Sequence, residues 1–145
     1  MNDAEESRRI VVERMMRHSP EKIWRALTDR EAMGRWLMPN DFRPTLGHRF
    51  NFRSAPIPDV WNGVTDCEVI EIDPPRKLAY TWNASGEEAV NGLKTVVTWT
   101  LTPVETGTLV RMEQSGFRPE DALGRKMMGG GWPRILERLE EVAHR

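Results

Sequence analysis

Apolar and hydroxylated side chains alternate without a break from Val97 to Thr102. Val97, Trp99 and Leu101 fall on one parity, and Thr98, Thr100 and Thr102 on the other. Successive side chains of a strand point to opposite faces, so this stretch predicts a β-strand with one buried face. The same period recurs elsewhere. His48, Phe50 and Phe52 oppose Arg49, Asn51 and Arg53, while Val110, Met112 and Gln114 oppose Leu109, Arg111 and Glu113. β-Branched or aromatic runs add strands over 8–16, over 60–73 with a bulge expected at Gly63, and over 77–84.

Three segments follow the helical period instead. Ser19 is placed to cap a helix that begins at Pro20, with Ile23, Trp24 and Leu27 on one face. Asp29 is placed to cap a second short helix carrying Met33, Trp36 and Leu37 at i, i+3 and i+4. Near the C-terminus Pro119, Glu120 and Asp121 open a helix whose stripe is Trp132, Ile135, Leu136, Leu139 and Val142. Met128 joins that stripe if the helix is continuous, whereas Leu123 and Met127 fall on its far side. This phase slip, with Gly129–Gly131 and Pro133 beside it, predicts a kink or break over 129–133. Strand, two helices, a run of strands and a last helix describe an α+β fold: an antiparallel sheet covered on one face. No repeat or linker divides the chain, so one domain over residues 1–145 is expected, with residues 1–7 frayed.

Composition narrows the partners. The 145 residues carry 21 Lys and Arg against 22 Asp and Glu, a net charge of −1, so no overall field draws the chain to nucleic acid. No apolar run is long enough to span a bilayer and no signal-peptide pattern opens the chain; no membrane insertion and a cytoplasmic location are the expectation. Six tryptophans and eight methionines suit both a core and an adaptable apolar pocket.

Few side chains point to catalysis. His18, His48 and His144 are far apart in the chain and lack metal-ligand spacing, so no metal and no cofactor are expected. Cys67, the single cysteine, sits between Asp66 and Glu68, whose charge disfavours a thiolate. Glu68 and Glu71 have opposite parity and cannot both face inward from a regular strand. Gln114 shares the apolar parity of its strand and needs hydrogen-bond partners there, from the protein or from a ligand. The run Gly129–Gly131 matches neither a dinucleotide nor a P-loop pattern. Facing a cavity, it would leave volume open.

The stretches "SPEKIWRALTD" with Trp36, "GHRFNFR", "EVIEIDPPRKLAYTW", "VVTWTLTPVETGTLVRMEQSGF" and "GWPRILERLEE", in this order, resemble the START-like (SRPBCC) superfamily and within it the AHSA family. The resemblance covers residues 8–143 and implies a helix-grip fold: a curved antiparallel sheet around a long C-terminal helix, with two short helices closing one end. It further implies a cavity between sheet and helix that takes a hydrophobic or amphipathic small molecule. Trp36, His48, Phe50, Phe52, Trp61, Trp82, Trp99, Met112, Gln114, Met128 and Gly130 are the expected lining; Trp24 and Trp132 are assigned to packing. The physiological ligand is not named by the resemblance. Two other readings stand beside this one. A cyclase- or hydrolase-type enzyme would draw on His48, Gln114 and Glu68. A protein-interaction module, such as a chaperone-ATPase cofactor, would need a large exposed apolar patch on the outer sheet or the end helices; the strand residues Thr98, Thr100, Arg111 and Glu113 are polar. A chaperone partner is therefore not expected, and a homodimer is the common assembly for such a chain.

Overall fold

The computed structural model describes residues 8–144; residues 1–7, expected to fray, and Arg145 lie outside the described residues. The chain runs β1 (Arg9–Met16), α1 (Pro20–Thr28), α2 (Arg30–Trp36), β2 (Arg49–Arg53), β3 (Val64–Asp73), β4 (Lys77–Ala84), β5 (Lys94–Val104), β6 (Gly107–Ser115) and α3 (Ala122–His144). Short 3₁₀ turns at Gly86–Ala89 and Pro119–Asp121 precede β5 and α3. The strands form one antiparallel sheet in the order β1-β6-β5-β4-β3-β2. The long helix packs on one face of this sheet, and α1 and α2 pack beside it.

Local chemistry accounts for the short helices. Ser19 Oγ accepts from the Lys22 amide at 3.2 Å, and Asp29 Oδ2 from the Ala32 amide at 3.0 Å. Each cap satisfies an orphan donor worth about 1 kcal/mol. Asp29 ends one helix while capping the next, so no loop separates them.

Alternation holds along β6 and along β5 as far as Leu101, where every second residue is buried. It fails once in β3. The register with β4 passes from Val69 opposite Tyr80 to Glu71 opposite Ala79, leaving Ile70 as an extra residue. The bulge therefore lies at Ile70 and not at Gly63. Gly63 instead precedes the strand with φ +92°, and an added Cβ would come within 2.5 Å of the Ser54 carbonyl. That carbonyl belongs to a loop held by the Ser54 amide donating to the Gly63 carbonyl at 2.9 Å.

Of the kink or break expected over 129–133, the break is not found: α3 is one helix from Ala122 to His144, with Pro133 inside it. Pro133 removes the N–H that would bond the Gly129 carbonyl. The path continues because Trp132, Leu136, Leu139 and Ala143 are all buried against the sheet and short helices. Burial of that stripe outweighs the local propensity of three glycines and a proline.

Gly63→Ala combines a left-handed backbone with a backbone clash. It is expected to lower stability by about 1–3 kcal/mol, read as a reduced midpoint in chemical denaturation.

Candidate functional site

The core behind α3 is aromatic. Trp99 meets Trp36 edge-on at 5.5 Å and Trp132 at 5.9 Å, and Trp132 lies 5.5 Å from Trp82. Buried indoles need acceptors, and these have them. Trp36 Nε1 donates to the Ala26 carbonyl at 2.9 Å, Trp99 Nε1 to Tyr80 Oη at 3.0 Å, and Trp132 Nε1 to Gln114 Oε1 at 2.9 Å. Burial pushes the Tyr80 phenol well above its ordinary range, so it stays a neutral hydroxyl.

Gln114 is fully buried and makes the central contacts. Its Nε2 donates to Thr95 Oγ1 at 3.0 Å and approaches Met128 Sδ at 3.4 Å. Thr95 Oγ1 donates onward to the Trp82 carbonyl at 2.7 Å. One amide thus connects two residues of α3, Trp132 and Met128, to three strands.

Open space begins beside this chain. A groove of about 800 Å³ lies between the first half of α3 and one end of the sheet. Its floor is Trp82, Met128, Trp132 and Ile135; its walls are Leu37 and Met38 after α2, the loop with Ile57, Val60 and Trp61, and the segment Asn91–Leu93. Phe52 supports Trp82 from below at 5.2 Å. Four of its side chains leave large apolar surface in solvent: Ile57 is 42% exposed, Val60 43%, Leu123 63% and Met127 45%. Hydrophobic side chains exposed together, as opposed to scattered singly, mark a binding surface. Gly131 also lines the groove, and nothing lies within 4 Å of where its Cβ would be.

Of the residues expected to line a cavity, the structure brings Trp61, Trp82 and Met128 to this groove. Trp36, Phe50, Phe52, Trp99, Met112 and Gln114 are core residues, each no more than 2% exposed. The aromatic parity that picked them out is the parity of the core. Gly130 is on the exposed side of α3, with nothing within 4 Å of its Cβ position. His48 is half-buried at the start of β2, where its Nε2 donates to the Asp41 carbonyl at 3.0 Å and its ring stacks on Phe50 at 6.2 Å. Glu68 pairs with Arg49 at 3.3 Å and Glu71 with Lys77 at 3.3 Å. His48, Gln114 and Glu68 are each engaged by different neighbours and are not gathered into one site.

The residues missed had a signal. Leu123 and Met127 fall off the buried stripe of α3, and that phase slip marks a second apolar face where a break was expected. Ile57 carries no periodic signal, because it sits between Pro56 and Pro58; Val60 opened the strand expected over 60–73, which begins only at Val64.

Elsewhere the chemistry is closed. Burial and the Asp66 charge push the Cys67 thiol far above its usual range, so it is no nucleophile. The rings of His18 and His144, distant in sequence, approach to 5.6 Å at the far end of α3. They share a cleft of about 480 Å³ with Arg14 and Glu140, themselves an ion pair at 2.7 Å. Among the described residues no group of three metal-ligating side chains is brought together. No described helix is long and apolar enough to cross a membrane.

A six-stranded antiparallel sheet gripping a long C-terminal helix, with two short helices beside it, is the helix-grip arrangement of START-like proteins. Within that class the family model for Activator of Hsp90 ATPase homolog 1-like protein matches residues 17–144, and the chain belongs to this family. Protein MLL2253 from Mesorhizobium loti is 48% identical over 95% of this chain and 98% of its own, with a TM-score of 0.86. BH1534 from Bacillus halodurans is 27% identical over 93% and 96%, with a TM-score of 0.76. Aha1 from Colwellia psychrerythraea, described as a dimer, is 22% identical over 93% and 95%, with a TM-score of 0.76; that likeness concerns the fold alone. No curated protein matches the chain.

Gln114→Leu leaves the Trp132 indole without an acceptor in a dry core. A buried unsatisfied group costs about 1–3 kcal/mol, so this variant should unfold at lower denaturant by that amount. Its tryptophan emission should change as Trp132 loosens.

Proposed function

We propose that this protein binds a hydrophobic or amphipathic small molecule in the groove between the first half of α3 and the open end of the sheet. The observation that carries this reading is the groove itself: about 800 Å³ in volume and floored by aromatic and methionine side chains. Ligand sites have such volumes and such linings. Membership of a START-like family supports the reading, since such proteins commonly bind ligands. The groove-lining members of the expected ligand set are Trp61, Trp82 and Met128, and we add Ile57, Leu123, Met127 and Gly131 to it. Their chemistry fits non-covalent burial of apolar surface, worth about 25 cal/mol per Å² removed from water. Methionines at 127 and 128 can reshape around different ligand outlines.

Two glycine substitutions test the location. Gly131→Leu places a side chain into open groove, while Gly130→Leu places it in solvent. The uncharged dye Nile red should bind the native chain saturably, with one site. Gly131→Leu should weaken that binding about tenfold or more, the effect of losing roughly 1.4 kcal/mol, and Gly130→Leu should bind as the native chain does. Equal binding by both variants would place the ligand elsewhere.

A further inference from the structure

The groove has a charge of its own. Asp59, Glu87, Glu88, Glu120 and Asp121 all line it, and among the described residues no Lys, Arg or His does. The whole chain carries nearly equal numbers, 21 Lys and Arg against 22 Asp and Glu. The wall therefore departs from the composition in one direction only.

One of the five carboxylates is neutralised. Arg118 Nη2 and Nε lie 2.8 and 2.9 Å from the two oxygens of Asp121, holding that carboxyl below its usual range. The same guanidinium donates through Nη2 to the Asn91 and Gly92 carbonyls at 3.1 and 3.0 Å. Asp59, Glu87, Glu88 and Glu120 are exposed and, among the described residues, form no ion pair. The apolar floor and the four unpaired carboxylates are thus parts of one concave surface.

We propose that the groove selects an apolar molecule bearing a positively charged amine or quaternary ammonium group, a statement that rests on the apolar-ligand reading above. The apolar body covers Trp82, Met127, Met128 and Ile135, and the cation stays at the carboxylate rim. A cleft lined by one sign of charge with low-dielectric walls focuses its field on the ligand. A cation meets opposite charge at the rim, and it keeps part of its hydration because these carboxylates are exposed to water. The indole face of Trp61, also on the wall, is a further surface for a cation. A fatty acid or other anionic amphiphile brings like charge to the same rim and finds no cation there to receive it.

Three probes with the same ten-carbon chain separate charge from apolarity: decyltrimethylammonium, decanoate and decyl maltoside. Each is titrated calorimetrically into the full chain below its micelle concentration. The ammonium probe should bind about tenfold more tightly than the uncharged one at low salt, and decanoate most weakly. The preference should shrink at about 1 M salt, where the screening length falls to about 3 Å. In the fourfold variant Asp59→Asn, Glu87→Gln, Glu88→Gln and Glu120→Gln, the ratio of ammonium to maltoside affinity should fall toward one. Gly131→Leu should abolish ammonium binding. Persistence in that variant would place the cation on the general surface and overturn the proposal. Equal or tighter binding of decanoate would overturn charge selection while leaving an apolar site in place. Failure of all three probes would remove the apolar-ligand reading, and the charge selection with it.

Discussion

A single buried amide decides how the long helix meets the sheet. Gln114 sits in β6, opposite Ile10 of β1 and Val97 of β5, with its side chain on the helix side. It accepts from Trp132 and donates to Thr95, and Thr95 donates to the backbone of β4. Each group in this chain is buried and each has a partner, which is the condition under which a polar network inside a core holds one arrangement. No buried side-chain nitrogen or oxygen among the described residues lacks a hydrogen bond. The amide fixes where along α3 close packing ends. Beyond it toward the C-terminus, Leu136, Leu139 and Ala143 fill the space; before it, Arg125 still reaches the Arg9 carbonyl of β1, while the groove opens beside Met127, Met128 and Gly131.

The groove follows from that geometry. The first half of α3 presents Leu123 and Met127 away from the buried stripe, and Gly124 and Gly131 contribute no side chain to close the gap. The opposite wall is a loop whose return into β3 depends on Gly63 in a left-handed conformation. Apolar surface left in water forgoes burial worth about 25 cal/mol per Å². The other face of the sheet has Thr98, Thr100 and Arg111 half-buried, and Val11 and Met15 of β1 are exposed beside them.

The fold was largely legible beforehand. Period-two alternation located the strands, capping residues located both short helices, and strand runs followed by helix implied the α+β layering. The family motifs carried the helix-grip arrangement. The candidate site was legible only in part. Trp36 is buried from α2. Phe50, Phe52, Trp99 and Met112 lie on buried strand positions as Trp82 does, and an alternating strand reports only that a face is covered. Whether a helix or a ligand covers it depends on where α3 runs. Gln114 was singled out as an amide needing partners; that the partners are Thr95, Met128 and Trp132 depends on residues 14 to 19 positions away in the chain. The glycines and Pro133 pointed to a break because propensity is local, whereas the buried stripe that overrides it is a tertiary fact.

Sequence by itself determined the elements, their order and the buried faces of the strands. Those properties depend on neighbours within a few positions, where backbone geometry and side-chain period act directly. Tertiary structure alone decided that α3 is continuous and that open volume lies along its first half. It also decided that Asp59, Glu87, Glu88 and Glu120 share one rim. Packing brings those distant residues together, and neither period nor composition encodes the distance between them.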